Sequence, residues 1–373
     1  MDMGLRVCHI SSAHRNTDDR IFLKECVTLA QKGYTVTLIA KGVVSDNSMI
    51  NQILFPDYHS RFGRFVAGGV KMLSYCLRRN DDLIHFHDPE LLWVALILKL
   101  TGRKIIYDVH EDLPRQILNK QYIPIAFRRI LAVLIEITER VASCFFDGIV
   151  AATDDIARRF NPKKTSVVRN LPVMGMRNFV YDKKNDPSVL RLIYVGGLSY
   201  DRGILETIQI TGILNKSVSC RIWLAGDWES AAFFQRCRNL DAWQFVDFLG
   251  YLQPAEVYNH ISNSDIGVCL LHPLPNYVSS LPVKSFEYMM FGKPMIMSDF
   301  PYWLSQYKGA AVFSDPFDIQ GAVDKILALW QNPSLYSSVS SFSSGLILSE
   351  LNWETEAAKL LNRYHAVLTK GVK

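Results

Sequence analysis

The sequence has 373 residues, 49% of them hydrophobic and 21% charged, with a formal net charge of +5. That length suits two domains, each with its own core, and the composition is ordinary for a globular enzyme. The mild positive balance comes without a dense Lys/Arg stripe interleaved with aromatics, so charge gives no ground for a nucleic-acid partner. No uninterrupted apolar run of about 18 residues is present that could span a membrane.

Seven cysteines (Cys8, Cys26, Cys76, Cys144, Cys220, Cys237 and Cys269) are scattered without a CxxC pair. They read as small core residues in a reducing compartment. The strand-like RVCHIS begins almost at once, with no charged segment leading into an apolar one. The expected location is cytoplasmic, at most against the inner face of the cytoplasmic membrane.

In the first half, apolar runs of strand length at 6–11, 34–40, 83–86, 104–109, 148–152 and 165–169 alternate with amphipathic segments. The latter predict helices at 20–32, 62–79, 90–100, 124–145 and 154–160. This alternation predicts βαβ units around a parallel sheet. Runs such as LIHF and KIIYDV do not alternate cleanly because such strands are buried on both faces.

Ligands of such sheets sit at the carboxyl ends of the strands. Three of these ends carry His with carboxylate: His14 with Asp18 and Asp19, His87 with Asp88, and His110 with Glu111 and Asp112. They predict a polar cleft. A metal site on the same residues is the lesser reading, on the expectation that no HxH or HExxH spacing accompanies them. The pairs Asp18–Asp19, Asp81–Asp82 and Asp154–Asp155 are expected to cap helix starts.

The segment 124–145 is apolar on much of its surface and carries Arg128 and Arg129 near its start. With Arg61, Phe62, Arg64, Phe65, Lys71, Arg78 and Arg79 it could form a basic, apolar-edged face for an anionic membrane. A core helix with solvated arginines is the favoured expectation.

The pattern lapses between 170 and 187, giving expected domains of 1–172 and 188–350 and a closing helical segment, 351–373. In the second half, strands at 190–195, 220–225 and 245–249 run into GGLSYDRG, GDWES and GY. The strand 266–271 leads into NYVSSLPVKSFEYMMFGKPMIMSD. A helix is predicted there from Pro282 or Val283 to Gly292, followed by a strand at 294–297. Lys284 and Glu287 stand at i,i+3: a surface ion pair on a crossover helix, or part of an anion site at a helix start. Gly196, Gly197 and Gly226 at strand ends allow close backbone approach by a ligand. VGGLSYDRG is not a GxGxxG fingerprint, and no GxxxxGK[ST] loop occurs.

VGGLSYDRG, LAGD, FLGYLQPAEVYNHISNSDIGVCLL and LPVKSFEYMMFGKPMIMSD, in this order and spacing, resemble the C-terminal half of retaining glycosyltransferases of family 4. DLIHFHDPE and IIYDVHEDLP are similar to that family's acceptor-side domain, and LNWETEAAKLLNRYHAVL to its last helix. The resemblance implies an α/β protein of the GT-B fold. That fold has two Rossmann-like domains facing across a cleft and a C-terminal helix crossing back to the first. The implied activity is transfer, with retention, from a nucleoside-diphosphate sugar to a saccharide or lipid-linked acceptor in surface polysaccharide or glycoconjugate synthesis. The leaving phosphate takes the acceptor's proton, and neither metal nor other cofactor is expected.

Residue by residue, Glu287 matches the second Glu of the family's E-x7-E motif, which holds the ribose hydroxyls. Ser279 stands where the first Glu contacts the transferred sugar. Gly197 occupies a position usually held by a clamp Arg. Arg202 inherits the diphosphate clamp, and Lys284 is expected to supply the missing cation. His110, in DVHE, matches the catalytic His facing the donor sugar. Gly196, Gly226, Tyr251, Ser280 and Leu281 complete the implied donor side, and His14, His87, Asp88 and Glu111 the acceptor side. Two alternatives stay open: a GT-B-fold sugar-nucleotide epimerase or hydrolase, and a non-catalytic partner subunit.

Overall fold

The computed structural model describes residues 4–43, 47–58, 60–118, 123–175 and 186–369. The chain forms two compact units. One comprises the chain up to Asn170 together with the segment from Trp353; the other runs from Leu171 to Asn352. Most of the expected 170–187 connection lies outside the described residues.

The first unit holds seven strands: β1 (Arg6–Arg15), β2 (Thr35–Lys41), β3 (Ile50–Leu54), β4 (Leu83–Phe86), β5 (Lys104–Val109), β6 (Gly148–Ala151) and β7 (Thr165–Val167). They lie in the order β3-β2-β1-β4-β5-β6-β7, every pair parallel. The second unit holds β8 (Leu190–Val195), β9 (Cys220–Ala225), β10 (Val246–Gly250), β11 (Ile266–Cys269), β12 (Met295–Ser298) and β13 (Val312–Ser314). Their order is β10-β9-β8-β11-β12-β13, again all parallel. Each is a doubly wound sheet. Strand order reverses between β1 and β4 in one and between β8 and β11 in the other, and the loops diverge there to leave room for a ligand.

Central strands are sealed on both faces: LIHF and GIVA are buried throughout. In the first core the Phe86 and Tyr107 rings stack at 4.5 Å with Phe146 edge-on. Two strands, β3 and β13, had no counterpart in the sequence reading. Both are edge strands, and INQIL carries Asn51 and Gln52 on a partly solvated surface, so no apolar run marks it.

Two expectations are corrected. Asp18 does cap a helix, accepting from the Arg20 and Ile21 N–H groups, but Asp81 and Asp82 lie outside any helix start. Asp81 instead pairs with Arg79, and Asp82 accepts the Arg6 N–H. The helix Ile125–Ser143 is not a core helix. It buries only Ala132, Glu139, Ala142 and Ser143, while Phe127, Ile130, Val133, Leu134 and Ile137 are exposed. A pattern apolar on much of a helix's surface cannot by itself say which face finds a partner.

The closing helix Trp353–Leu368 packs into the first unit. Trp353 Nε1–H donates to Thr28 Oγ1 at 2.8 Å, Arg363 reaches Ser166 Oγ at 3.0 Å, and Glu356 accepts the Arg169 N–H.

Gly226, at the carboxyl end of β9, has φ +143°, and a Cβ there would lie 2.0 Å from the Gly196 carbonyl oxygen. Gly226→Ala should therefore destabilise the second unit by about 2–4 kcal/mol through strain and overlap, read as a lowered melting temperature.

Candidate active site

The carboxyl ends of β1, β4 and β5 bring together the polar residues singled out in the first half. The centre is Asp108, an acid inside β5. Its carboxylate is fully buried and takes Arg20 in bidentate fashion, Nε at 3.0 Å and Nη2 at 2.7 Å. Burial alone would raise the Asp108 pKa. The Arg20 charge and hydrogen bonds from His110 and His87 override it and hold the group well below the usual carboxylate range. Buried Glu25 faces the same guanidinium at 3.2 Å, and burial plus the Asp108 charge push its pKa well up. One carboxylate stays ionised and the other keeps its proton.

An ionised Asp108 can only accept, and this fixes the direction of every hydrogen bond around it. His87 and His110 each donate from Nδ1, at 3.0 and 3.1 Å. His87 Nε2 must then accept, and His9 Nδ1–H donates to it at 2.9 Å. His9 Nε2 accepts from the Tyr364 hydroxyl at 3.1 Å, and that oxygen accepts from His85 Nδ1–H at 2.8 Å. Burial lowers the pKa of His9, His85 and His87, so these three imidazoles are neutral.

Toward the surface the sign changes. His110 Nε2 meets His14 Nε2 at 3.0 Å, and His14 Nδ1 meets Asp18 at 3.3 Å. Burial would lower the His14 pKa, but the Asp18 hydrogen bond and the charges of Asp88, Asp18 and Glu111 raise it to about 9. His14 is thus an imidazolium whose Nε2–H points at His110. Asp88 holds the carboxyl half of β1 through the Ser11 hydroxyl at 2.8 Å and the Ser12 N–H at 2.7 Å. Exposed Glu111 stands beside it, and both line a cavity of about 550 Å³ whose other walls include Leu92, Ile117, Leu131 and Ile135.

Among the described residues, two groups have ligand atoms within 4.8 Å of one another: His9, Glu25, His85 and His87, and His87, Asp108 and His110. Contrary to the sequence expectation, an H-x-H pair is present: His85 in β4 and His87 just after it. Both nitrogens of His87 and of His9 are already engaged in the chain above, which accounts for them as hydrogen-bonding groups.

In the second unit, the residues expected on the donor side lie after the ends of β8, β9, β10 and β11. The Gly196 N–H donates to Ala225 O and the Gly226 N–H to Gly250 O. Gly203, with φ +66°, passes so close to Leu270 that a Cβ would lie 1.9 Å from its carbonyl oxygen; this places Arg202 just before the helix Ile204–Leu214. Arg202 Nη1 and Lys284 Nζ both lie 3.3 Å from where a Gly196 Cβ would be, and Gly197 adjoins them. Lys284 and half-buried Glu287 share the helix Val283–Met290, whose first turn has no side-chain cap. Ser279, Ser280 and Leu281 form the turn before it, where the Ser280 carbonyl accepts from Trp303 Nε1–H at 2.7 Å. Tyr251 lies at the end of β10, largely exposed.

The structure brings His14, His87, Asp88 and His110, singled out in the sequence, into one cluster with Asp108, His9, Glu25 and Tyr364, which were not. The one available signal was an acid and a histidine inside apolar strands, KIIYDV and RVCHIS, where a charged or polar group needs a partner.

Asp18 is held at about 2: burial opposes this, and the His14 hydrogen bond and the Ile21 N–H produce it. The Asp18 contribution is complete above the ordinary carboxylate value and lost as pH falls through about 2. The His14 contribution is complete below the ordinary imidazole value and lost as pH rises through about 9. Asp18→Asn should return the His14 titration toward the ordinary range, read from its imidazole NMR shifts against pH.

Two family models match the chain: Glycosyltransferase Family 4 over residues 22–170, and Glycosyl transferases group 1 over residues 190–332. Together they span about three quarters of it. No curated protein matches in sequence. Among solved structures, sucrose-phosphate synthase from Thermosynechococcus elongatus superposes with a TM-score of 0.71 at 15% identity, covering 98% of this chain and 100% of that one. Anabaena HepE in complex with UDP and glucose gives 0.69 at 12% identity, covering 97% and 100%. An E. coli trehalose-6-phosphate structure bound with UDP-2-fluoro glucose gives 0.67 at 11%, covering 98% and 99%. At such identities the likeness speaks to the fold, which is GT-B. With a glycosyltransferase model matching within each of the two Rossmann-like units, the chain belongs to the nucleotide-sugar-dependent glycosyltransferases of family 4.

Proposed function

We propose that this glycosyltransferase transfers a sugar with retention of configuration, from a nucleoside-diphosphate donor to a saccharide or lipid-linked acceptor in surface polysaccharide or glycoconjugate synthesis. The observation that carries the donor half is the convergence of Arg202 and Lys284 on the Gly196 backbone, with Glu287 one turn further along the helix. Breaking a sugar–diphosphate bond builds negative charge on the leaving phosphate, and fixed cations with free helix N–H groups oppose that charge without reorganising. Glu287 can accept from two vicinal ribose hydroxyls, while Gly226, Tyr251 and the turn Ser279–Leu281 edge the same site. No metal is needed where two cations serve the phosphates.

On the other unit, His110 has committed Nδ1–H to Asp108, so it meets the sugar through Nε2, which His14 can supply with a proton. Asp88, Glu111 and His14 offer the charged acceptors and donor that acceptor hydroxyls require, with His87 holding Asp108 from behind. The complexes of HepE and of the E. coli structure hold UDP or a UDP-sugar, which makes uridine the first base to test.

The assay offers UDP- and GDP-sugars with and without a lipid-linked acceptor and a chelator, following nucleotide release and the anomeric configuration of the product by NMR. Transfer with retention, indifferent to chelator, is expected. Arg202→Ala or Glu287→Ala should weaken nucleotide binding about 10- to 100-fold, the worth of one or two charge-assisted hydrogen bonds. Epimerised sugar without transfer, or an inverted product, overturns the reading.

No described helix is long and apolar enough to cross a membrane. Peripheral contact with an anionic membrane is part of the proposal. It is supported by the outward apolar face of the helix Ile125–Ser143, with Phe127 66% exposed, and by Phe62, Val70 and Lys71 on the helical segment 61–77 with Arg78 just after it. The Arg61 side chain lies outside the described residues. Such a face binds by buried apolar area plus attraction to anionic lipid. Co-sedimentation with phosphatidylglycerol vesicles should fall several-fold in Phe127→Ser/Ile130→Ser and weaken with salt. Wild-type protein left in the supernatant would remove the membrane from the proposal.

A further inference from the structure

Lys284 is turned inward from the first turn of its helix: the residue is 8% exposed, and Nζ has no hydrogen-bond partner among the described residues. Nζ lies 3.5 Å from the centroid of the Tyr194 ring. Around it stand Tyr194 on β8, Arg202 in the turn after β8, Cys269 on β11 and, on its own helix, Glu287. An ammonium buried without a hydrogen-bonded counterion is unfavourable enough that the group sheds its proton instead. Burial, with Arg202 adding and Cys269 and Glu287 opposing, brings the Lys284 pKa down to about 7. In the free protein above neutral pH this side chain is an amine.

We propose that a nucleoside diphosphate entering the turn at Gly196 and Gly197 draws one proton from solvent onto Lys284, so that donor binding and the charging of this lysine are a single event. The inference rests on the donor-site reading above and extends it. The balance is simple: the amine and one proton become an ammonium, which pairs with a phosphate oxygen and loses the proton again on release. The free nucleoside diphosphate carries one more negative charge than its sugar ester. The lysine therefore holds its proton most tightly once the sugar–phosphate bond has broken, which places the stabilisation on the leaving group.

The test is titration calorimetry with UDP and with GDP at about pH 8, in buffers of different ionisation enthalpy. Binding heat should scale with buffer ionisation enthalpy with a slope near one proton taken up by the wild-type protein. The dissociation constant should rise, by up to about tenfold per pH unit, above neutrality. Lys284→Met, which keeps the stem and removes the titrating group, should bind more weakly with a slope near zero and little pH dependence. The wild-type slope needs no variant, so misfolding of Lys284→Met leaves the test intact. A nucleotide that binds the wild type without proton uptake overturns this inference and leaves the donor site standing. If neither nucleotide binds, or Arg202→Ala and Glu287→Ala bind as the wild type does, the donor-site reading falls and this inference with it.

Discussion

The site in the first unit depends on one buried ion pair, Arg20 with Asp108. A guanidinium 4% exposed and a carboxylate with no exposure meet through two parallel hydrogen bonds. Burying such a pair adds little net stability, but removing one partner strands a charge in a medium that cannot solvate it. Its structural value lies in direction. Because Asp108 is held ionised, His87 and His110 must both present N–H to it, and the donor and acceptor roles of His9, Tyr364 and His85 follow in turn. Imidazoles that could each adopt two tautomers are reduced to one arrangement, and only His110 presents its remaining nitrogen toward the surface.

The second unit uses the opposite arrangement. Where the first unit closes its polar groups on one another, the second leaves two basic side chains aimed at a glycine backbone and a helix start without a side-chain cap. One network fixes its groups through a continuous run of hydrogen bonds; the other leaves Lys284 Nζ without one among the described residues. Both sit where strand order reverses, at β1/β4 and β8/β11, because there the flanking loops part and expose the carboxyl ends of neighbouring strands.

The sequence made the interior of each sheet readable, since parallel strands buried on two faces leave unbroken apolar runs. It did not reveal β3 and β13, whose outer edges carry no such run. The three turns bearing His and carboxylate were legible because each is local. The Asp108 hub was not: its partner Arg20 lies 88 positions away, and the hydroxyl that closes the far end of the chain, on Tyr364, lies 279 positions from His85. Composition also misled for the helix Ile125–Ser143. A helix apolar on much of its surface suits a core, and only the packing shows that most of its apolar residues face outward.

Tyr364 also constrains the order in which the chain can finish folding. The second unit is continuous from Leu171 to Asn352, whereas the first needs both ends of the chain. During synthesis, β1 emerges with His9 before the second unit, yet the hydroxyl that bonds His9 and His85 arrives only after that unit, with the helix Trp353–Leu368. Domains fold as units when their residues are all present. The second unit can therefore close while the first still lacks Tyr364, and of the two units the one begun earlier is completed later.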